Sequence, residues 1–542
     1  MQPHDLTLSF HGAARTVTGS CMELRSINSR ILIDCGLFQG PRTLEGLNRE
    51  PFPFDVRDLD GVILTHAHID HSGLAPRLTG DGYSGPIWCT PATRDLLQHM
   101  LPDAGRIQES EAERRNRRAD RADEPRIEPI YTEADAEAAW RLCRPVELGT
   151  WFEPAPGIRA RFWNAGHILG SASVEVEASA TRLFFSGDVG PEHKAFHPDP
   201  SGPSGIDHLI CESTYGDRVR SNVTKEERRT LLESEIKAAL TRGGNLIIPV
   251  FALERTQELL LDLAHLIDSG KLPHARAFID SPLASRATSV FTRHRHTLED
   301  VPEDSDVFRH PSFHFVSTVA ESIRLNALTG AIILAASGMC EAGRIRHHLR
   351  HNLPERRSTI LFVGFQAAGT LGRAILDGAR RVRISGHDVV VNAQVRRLDS
   401  YSAHADRDGL LEWIAARQPV SGSLFLTHGE AGAIEALRRT LQSANPESSI
   451  ITPEIGERYS LPPATPAKRV ATGRAELRDV LESDWQNDYA GFTASLKTDL
   501  KRIKDAAARR EAIARMRAVL TSYRESGARR SRSRHTKSAK PN

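Results

Sequence analysis

The segment Leu64-Thr65-His66-Ala67-His68-Ile69-Asp70-His71-Ser72-Gly73 packs three histidines and an aspartate into six residues. Imidazole nitrogens and carboxylate oxygens are the donor set of zinc, iron and nickel sites. His66 and His68 can face one way while Asp70 and His71 face another, so one turn can serve two ions. Further on, Gly166-His167-Ile168-Leu169-Gly170 sets a histidine in a glycine-flanked turn, and Leu183-Phe184-Phe185-Ser186-Gly187-Asp188 ends on a carboxylate. Either alone is an ordinary turn. In this order after the first motif they supply the third histidine and the bridging carboxylate that a two-metal site needs. Asp34 closes the run Arg30-Ile31-Leu32-Ile33, where its carboxylate can accept a proton from a ligand imidazole and steady the metal loop.

These side chains need rigid elements beneath them. Gly61-Val62-Ile63-Leu64, Arg30–Ile33 and Leu183–Phe185 are short apolar runs that read as buried strands, each ending at a polar turn. A sheet therefore carries the candidate ligands on one rim. From Leu209-Ile210-Cys211-Glu212 the pattern restarts as strand, helix, strand. Helices are predicted over 226–241 and 255–267, and strands at 244–250, 275–279, 331–335 and 358–364. Apolar strands alternating with helices predict a parallel, helix-covered sheet, hence a second α/β domain over 209–394. Metal-type residues resume beyond it. His404 lies in Ser402-Ala403-His404-Ala405-Asp406, ahead of a predicted helix, and His428 ends the strand Ser423–Thr427. The second domain is thus an insertion in the first, which spans 1–208 and 395–462.

The remaining 463–542 differ. Leu496, Leu500 and Ile503, then Ile513, Met516 and Leu520, recur at helical spacing, so a helical extension is expected over 463–528. Residues 529–542 are rich in Arg and Ser without apolar side chains; a disordered basic tail is expected there. The stretch 104–124 interleaves Arg with Glu and Asp, as on a solvated helix.

Composition narrows the classes. The 542 residues exceed one ordinary domain, and 39% hydrophobic with 26% charged residues is a globular balance. No apolar run approaches the ~18 residues of a membrane span, and no secretion signal is expected at the N-terminus. Six cysteines stand far apart with no CxxC pair, against a disulfide scaffold or a thiolate zinc site and in keeping with a cytoplasmic protein. A net charge of +2 leaves nucleic-acid binding to local patches.

The motifs at Asp34, His66/His68/Asp70/His71, His167 and Asp188 resemble the metallo-β-lactamase superfamily. Those at Glu212, His404 and His428 resemble the A, B and C motifs of its β-CASP ribonucleases, in the branch of cleavage-factor-like RNA-processing enzymes. Ser281-Pro282-Leu283-Ala284, Ala336-Ser337-Gly338-Met339 and the loop from Val363 to Arg373 look like the same family. The resemblance covers about 6–460. It implies an αββα sandwich with an inserted α/β domain, and two zinc ions per chain. One ion would take His66, His68 and His167, the other Asp70, His71 and His428, with Asp188 bridging. It further implies hydrolysis of single-stranded RNA to 3′-hydroxyl and 5′-phosphate ends, with Asp70, His404 and Glu212 as catalytic residues. His404 is the candidate general acid, oriented by Glu212. The small-residue loop before Arg373, with Ser337, Thr370 and Arg373, is the candidate phosphate holder. A homodimer is left open.

Two other chemistries share the superfamily. A small-molecule thioester or lactone hydrolase needs no acid from a cap domain, so Glu212 and His404 argue against it. A DNA-directed nuclease is disfavoured by His428, because the DNA-repair members typically lack a histidine there.

Overall fold

The computed structural model of the chain describes residues 6–40, 42–122, 126–220, 223–301, 306–364, 366, 370–477, 496, 500 and 502–519. It divides into two units, Met1–Glu482 and Ser483–Asn542.

Two sheets form the scaffold of the first unit. One has eight strands in the order Lys468–Ala471, Arg458–Ser460, Thr7–Phe10, Met22–Arg25, Arg30–Ile33, Gly61–Ile63, Ile87–Cys89, Cys143–Pro145. The other has seven, in the order Ile450–Ile451, Val420–Thr427, Ile206–Glu212, Thr181–Phe185, Ala172–Ala178, Ile158–Asn164, Trp151–Ala155. Strand side chains alternate between faces, and here both faces are apolar. Ile31 and Ile33 enter the core between the sheets, while Leu32 between them joins the core under the outer helices. Leu183 and Phe185 likewise face inward, and Phe184 faces out against Trp413. Sheets apolar on both faces must be covered by helices, which gives the four-layer αββα sandwich. A fully buried side chain such as Phe185 is worth about 3–5 kcal/mol if cut to alanine; that energy holds the strand ends, and so the ligands, in place.

A third sheet of six strands runs Phe313–Phe315, Ala277–Asp280, Ile332–Ala335, Leu246–Pro249, Thr359–Phe362, Gln394–Arg397. Every pairing in it is parallel, as the strand–helix alternation predicts. The predicted helices fall at Lys225–Thr241 and Arg255–Asp268. Up to residue 122 the charged stretch belongs to the helix Pro91–Ala122.

Three strands bear on the expected boundaries. Leu209 is interior to the strand Ile206–Glu212, which pairs in parallel with both Thr181–Phe185 and Val420–Thr427. Glu212 is the last residue of that strand. Residue 395 is interior to Gln394–Arg397, the last strand of the parallel sheet. Residues 463–477, expected in the helical extension, instead carry the strand Lys468–Ala471, antiparallel to Arg458–Ser460. Arg469 pairs there with the buried Glu457 at 2.7 Å, and Leu477 is buried in the core between the sheets.

In the second unit residues 506–519 are helical, with Ile513 and Val519 exposed. Leu520 and the basic segment 529–542 lie outside the described residues. Among the described residues no helix is long and apolar enough to cross a membrane. All six cysteines are buried and unpaired.

Candidate metal centre

The strand Gly61–Ile63 delivers the chain to Thr65, whose N–H donates to Asp34 Oδ1 at 2.8 Å. His66 follows, and His68 precedes the one-turn helix Ile69–Ser72 that holds Asp70 and His71. Tightening into a helical turn between His68 and Asp70 is what sends the two pairs in different directions. The Asp34 loop reaches this turn because position 36 is glycine: a Cβ there would lie 1.6 Å from the Asp70 carbonyl oxygen. Gly190 plays the same part after Asp188, where a Cβ would lie 1.8 Å from the Gly166 carbonyl oxygen. Asp34 and His428 both occupy the left-handed region, at φ 62° and 47°. Such strain persists where the surroundings over-determine it, and it clusters at functional sites.

The donor atoms converge in two groups that share Asp188. His66 Nε2 and His167 Nε2 lie 3.1 and 3.2 Å from His68 Nδ1, and 3.6 and 3.5 Å from Asp188 Oδ2. His71 Nε2 lies 3.1 Å from His428 Nε2 and 3.2 Å from Asp188 Oδ1, and His428 Nε2 is 3.7 Å from Asp70 Oδ2. Each oxygen of Asp188 thus faces a different group, the arrangement of a bridging carboxylate.

The outer atoms of the rings fix which nitrogen is free. His71 Nδ1 donates to Asp34 Oδ2 at 2.7 Å and His167 Nδ1 donates to the Ala403 carbonyl at 2.9 Å. Thr65 Oγ1 lies 3.0 Å from His66 Nδ1, and Thr214 Oγ1 lies 3.1 Å from His428 Nδ1. The inward nitrogens are left as lone pairs. Burial pushes the imidazoles of His66, His68 and His167 below their ordinary pKa, so these three stay neutral. Burial opposes charge on His71 as well, but Asp188 and Asp34 outweigh it and raise its pKa.

The neutral imidazole nitrogens of His66 and His167 lie 3.1 and 3.2 Å from that of His68, and lone pairs facing one another at this distance repel unless a cation lies among them. Zinc–nitrogen bonds of about 2.0–2.1 Å at a tetrahedral angle put two ligand nitrogens about 3.3 Å apart. Asp188 Oδ1 is moreover buried with no hydrogen bond. The residues fit a pair of ions.

His404 stands beside the centre. Its Nδ1 lies 3.1 Å from Glu212 Oε1 and 4.0 Å from Asp188 Oδ2, and its side chain is 20% exposed, whereas His66, His71, His167 and His428 are buried. Glu212 is fixed by the backbone N–H groups of Val189 at 2.8 Å and Thr214 at 3.1 Å. Burial opposes the His404 imidazolium, but Glu212 and Asp188 outweigh it and raise its pKa.

The remaining candidates lie elsewhere in the insert. Ser337 Oγ accepts from Ala342 N–H at 3.3 Å. Thr370 Oγ1 caps its helix by accepting Arg373 N–H at 3.2 Å, and Arg373 Nε is paired with Asp377 at 2.9 Å. The two loops do meet, since Gly372 N–H donates to the Met339 carbonyl and Gln366 Nε2 to the Gly338 carbonyl. Most of the loop's small residues, 367–369, lie outside the described residues.

Sequence reasoning missed several groups. Thr65 and Thr214 orient ligand rings, yet a threonine in a turn carries no distinctive spacing. Arg220 donates to the His404 carbonyl and lies over the Tyr215 ring, which meets His404 edge-on. Phe251 is 47% exposed, with its ring seated against Gly338. Lys194 and Glu254 form a buried pair behind His167.

Family models match along the chain in the order this architecture demands. Residues 15–221 match the metallo-beta-lactamase superfamily, 256–375 the Beta-Casp domain, and 388–453 the Zn-dependent metallo-hydrolase RNA specificity domain. The chain is 37% identical over 445 residues to ribonuclease TTHA0252 of Thermus thermophilus, covering 81% of this chain and 96% of that one. It is 31% identical over 444 residues to the transcription termination factor FttA of Methanocaldococcus jannaschii, covering 78% and 67%. It is 29% identical over 425 residues to an RNase J-like protein of the same archaeon, covering 78% and 92%. A solved structure of a protein of unknown function from Enterococcus faecalis shares the fold at a TM-score of 0.50 and 16% identity, over 84% of this chain and 99% of that one.

Fold and site define a metal-dependent hydrolase on the αββα scaffold. The chain belongs to the β-CASP family of the metallo-β-lactamase superfamily.

Proposed function

We propose that this protein is a two-zinc ribonuclease that cleaves single-stranded RNA to 3′-hydroxyl and 5′-phosphate ends. The observation that carries the reading is the convergence of two donor groups on opposite oxygens of Asp188, with the Glu212–His404 pair alongside. The ribonuclease and RNase J-like names of relatives, and the RNA specificity model over 388–453, support RNA as substrate.

His66, His68 and His167 would hold one ion and Asp70, His71 and His428 the other, with Asp188 contributing its carboxylate to the centre. Two such ions supply Lewis-acid charge at the phosphate oxygens and a nucleophile drawn from water at neutral pH. Asp34 keeps His71 in the tautomer that ligates. Glu212 engages His404 Nδ1, which leaves Nε2 to carry a proton to the leaving 3′ oxygen. Phe251 offers a flat apolar face on which a base can stack. Unpaired bases and a bendable backbone suit such a site better than a duplex does. The enzyme is read as cytoplasmic. Its insert is proposed to follow Glu212 and to run through Arg397.

The test is one RNA labelled separately at each end, incubated beside the same sequence as DNA with zinc-loaded protein. Cleavage of RNA alone, with 5′-phosphate on the downstream product, is expected. Bound zinc with neither strand cut would overturn the nuclease reading in favour of small-molecule hydrolysis. Cleavage of DNA at an equal rate would overturn the choice of RNA.

A further inference from the structure

Glu254 sits in a backbone conformation that a side chain rarely adopts. Its φ is 69° and its ψ is −64°. Arg255 N–H donates to the Leu253 carbonyl at 2.9 Å, closing a strained, positive-φ γ-turn around it. The residue is also buried, at 2% exposure. A carboxylate is thus kept at a position that both the turn and the surroundings disfavour. Glycine would relieve the turn at no steric cost.

Both of its oxygens are engaged. Oε1 accepts from Lys194 Nζ and from His197 Nε2, each at 2.7 Å, and Oε2 accepts Leu169 N–H at 3.2 Å. Lys194 Nζ also donates to the His167 carbonyl. Glu258 lies 3.9 Å from Lys194 and is bound by Arg255 at 2.8 Å, so acidic groups are matched by basic ones throughout the cluster. A buried network satisfied in this way is rigid.

The cluster spans the two halves of the active site. Glu254 follows the strand Leu246–Pro249 of the parallel sheet and precedes the helix Arg255–Asp268. Lys194 and His167 belong to the sandwich. Lys194 holds the carbonyl of His167 and Glu254 holds the N–H of Leu169, so the insert reaches the loop carrying this imidazole directly at Leu169 and through Lys194 at His167.

We propose that Glu254 and Lys194 are positioning residues for the metal centre. Through the His167–Leu169 loop they hold the His167 imidazole in its ligating pose. Tight binding of the ion at His66, His68 and His167 then depends on the docked inserted domain. This rests on the reading of the cluster as a two-metal centre.

The test uses the full chain, stripped of metal and titrated with cobalt(II), whose visible absorption reports ligand geometry. Chelator competition gives the affinity of each ion. Glu254→Gly relieves the turn and removes the carboxylate, while Glu254→Gln keeps the shape and loses the charge. The metal-free Glu254→Gly chain is expected to melt lower than wild type, because Lys194 and His197 lose a buried partner, and to bind one of two cobalt ions about 10–100-fold more weakly with an altered spectrum. Glu254→Gln is expected to fall between. If Glu254→Gly does not fold, Glu254→Gln decides by the same titration. Two ions bound with wild-type affinity and spectrum in the variants would overturn the fastening alone. A wild-type chain that takes up no cobalt would overturn the metal-centre reading and the fastening with it.

Discussion

His404→Ala separates chemistry from metal binding. The His404 ring lies outside the two histidine-rich donor groups, although it converges with Asp188 and Glu212: its Nδ1 is turned to Glu212 at 3.1 Å and stands 4.0 Å from Asp188. Its removal leaves seven ligand-type side chains in place and opens a small, partly exposed gap, so both ions should remain. What is lost is the proton for the leaving 3′ oxygen. General acid catalysis contributes about 10²- to 10⁴-fold, or roughly 3–5 kcal/mol of barrier. Metal content by elemental analysis is expected to stay at the wild-type level while turnover of RNA falls by that factor. The decisive comparison replaces the scissile 3′ oxygen by sulfur, a leaving group that departs without a proton. On that substrate the variant should recover to within about tenfold of wild type. An equal loss on both substrates refutes the assignment of His404 as the acid. Loss of an ion refutes its placement outside the ligand set.

Three further outcomes follow from the same geometry. Asp34→Ala removes the acceptor of His71 Nδ1 and of Thr65, and should weaken one ion about 10–100-fold in chelator competition while His404 stays in place. Phe251→Ala should lower the preference for a base-bearing over an abasic nucleotide beside the scissile bond, by about 1–3 kcal/mol in kcat/KM; an unchanged ratio rules out stacking there. Asp280 lies in the insert, where burial raises its pKa but bonds from His348, Ser322 and Arg344 outweigh it and hold it below the usual range. A lowered folded-state pKa means stabilisation that is complete above the unfolded value of about 3.9 and lost as the pH falls through the folded one. Asp280→Asn should therefore cost about 3–5 kcal/mol at pH 7 in denaturant melts, and the gap to wild type should close below about pH 4.

The chemistry was legible where donor residues crowd at strand ends. A segment such as His66–His71 has few uses other than holding ions, and a helix turn between His68 and Asp70 follows from local geometry. The parallel sheet was legible because fully buried strands read as unbroken apolar runs. Boundaries were less so. Residues 209 and 395 fall inside strands, and which sheet a strand joins depends on its partners rather than on its own residues. Lys468–Ala471 has no apolar alternation to announce it, and it pairs by edge hydrogen bonds to Arg458–Ser460.

By itself, then, the sequence determined the candidate donors, the order of their motifs and the class of scaffold, because spacing within a few residues controls which side chains share a turn or a face. Only the tertiary structure decided which donors meet. His71 and His428 are 357 positions apart, yet their nitrogens are separated by 3.1 Å. It also put a strained Glu254 behind His167. Contacts between distant segments, and torsions imposed by packing, depend on the whole fold and leave no pattern in neighbouring residues.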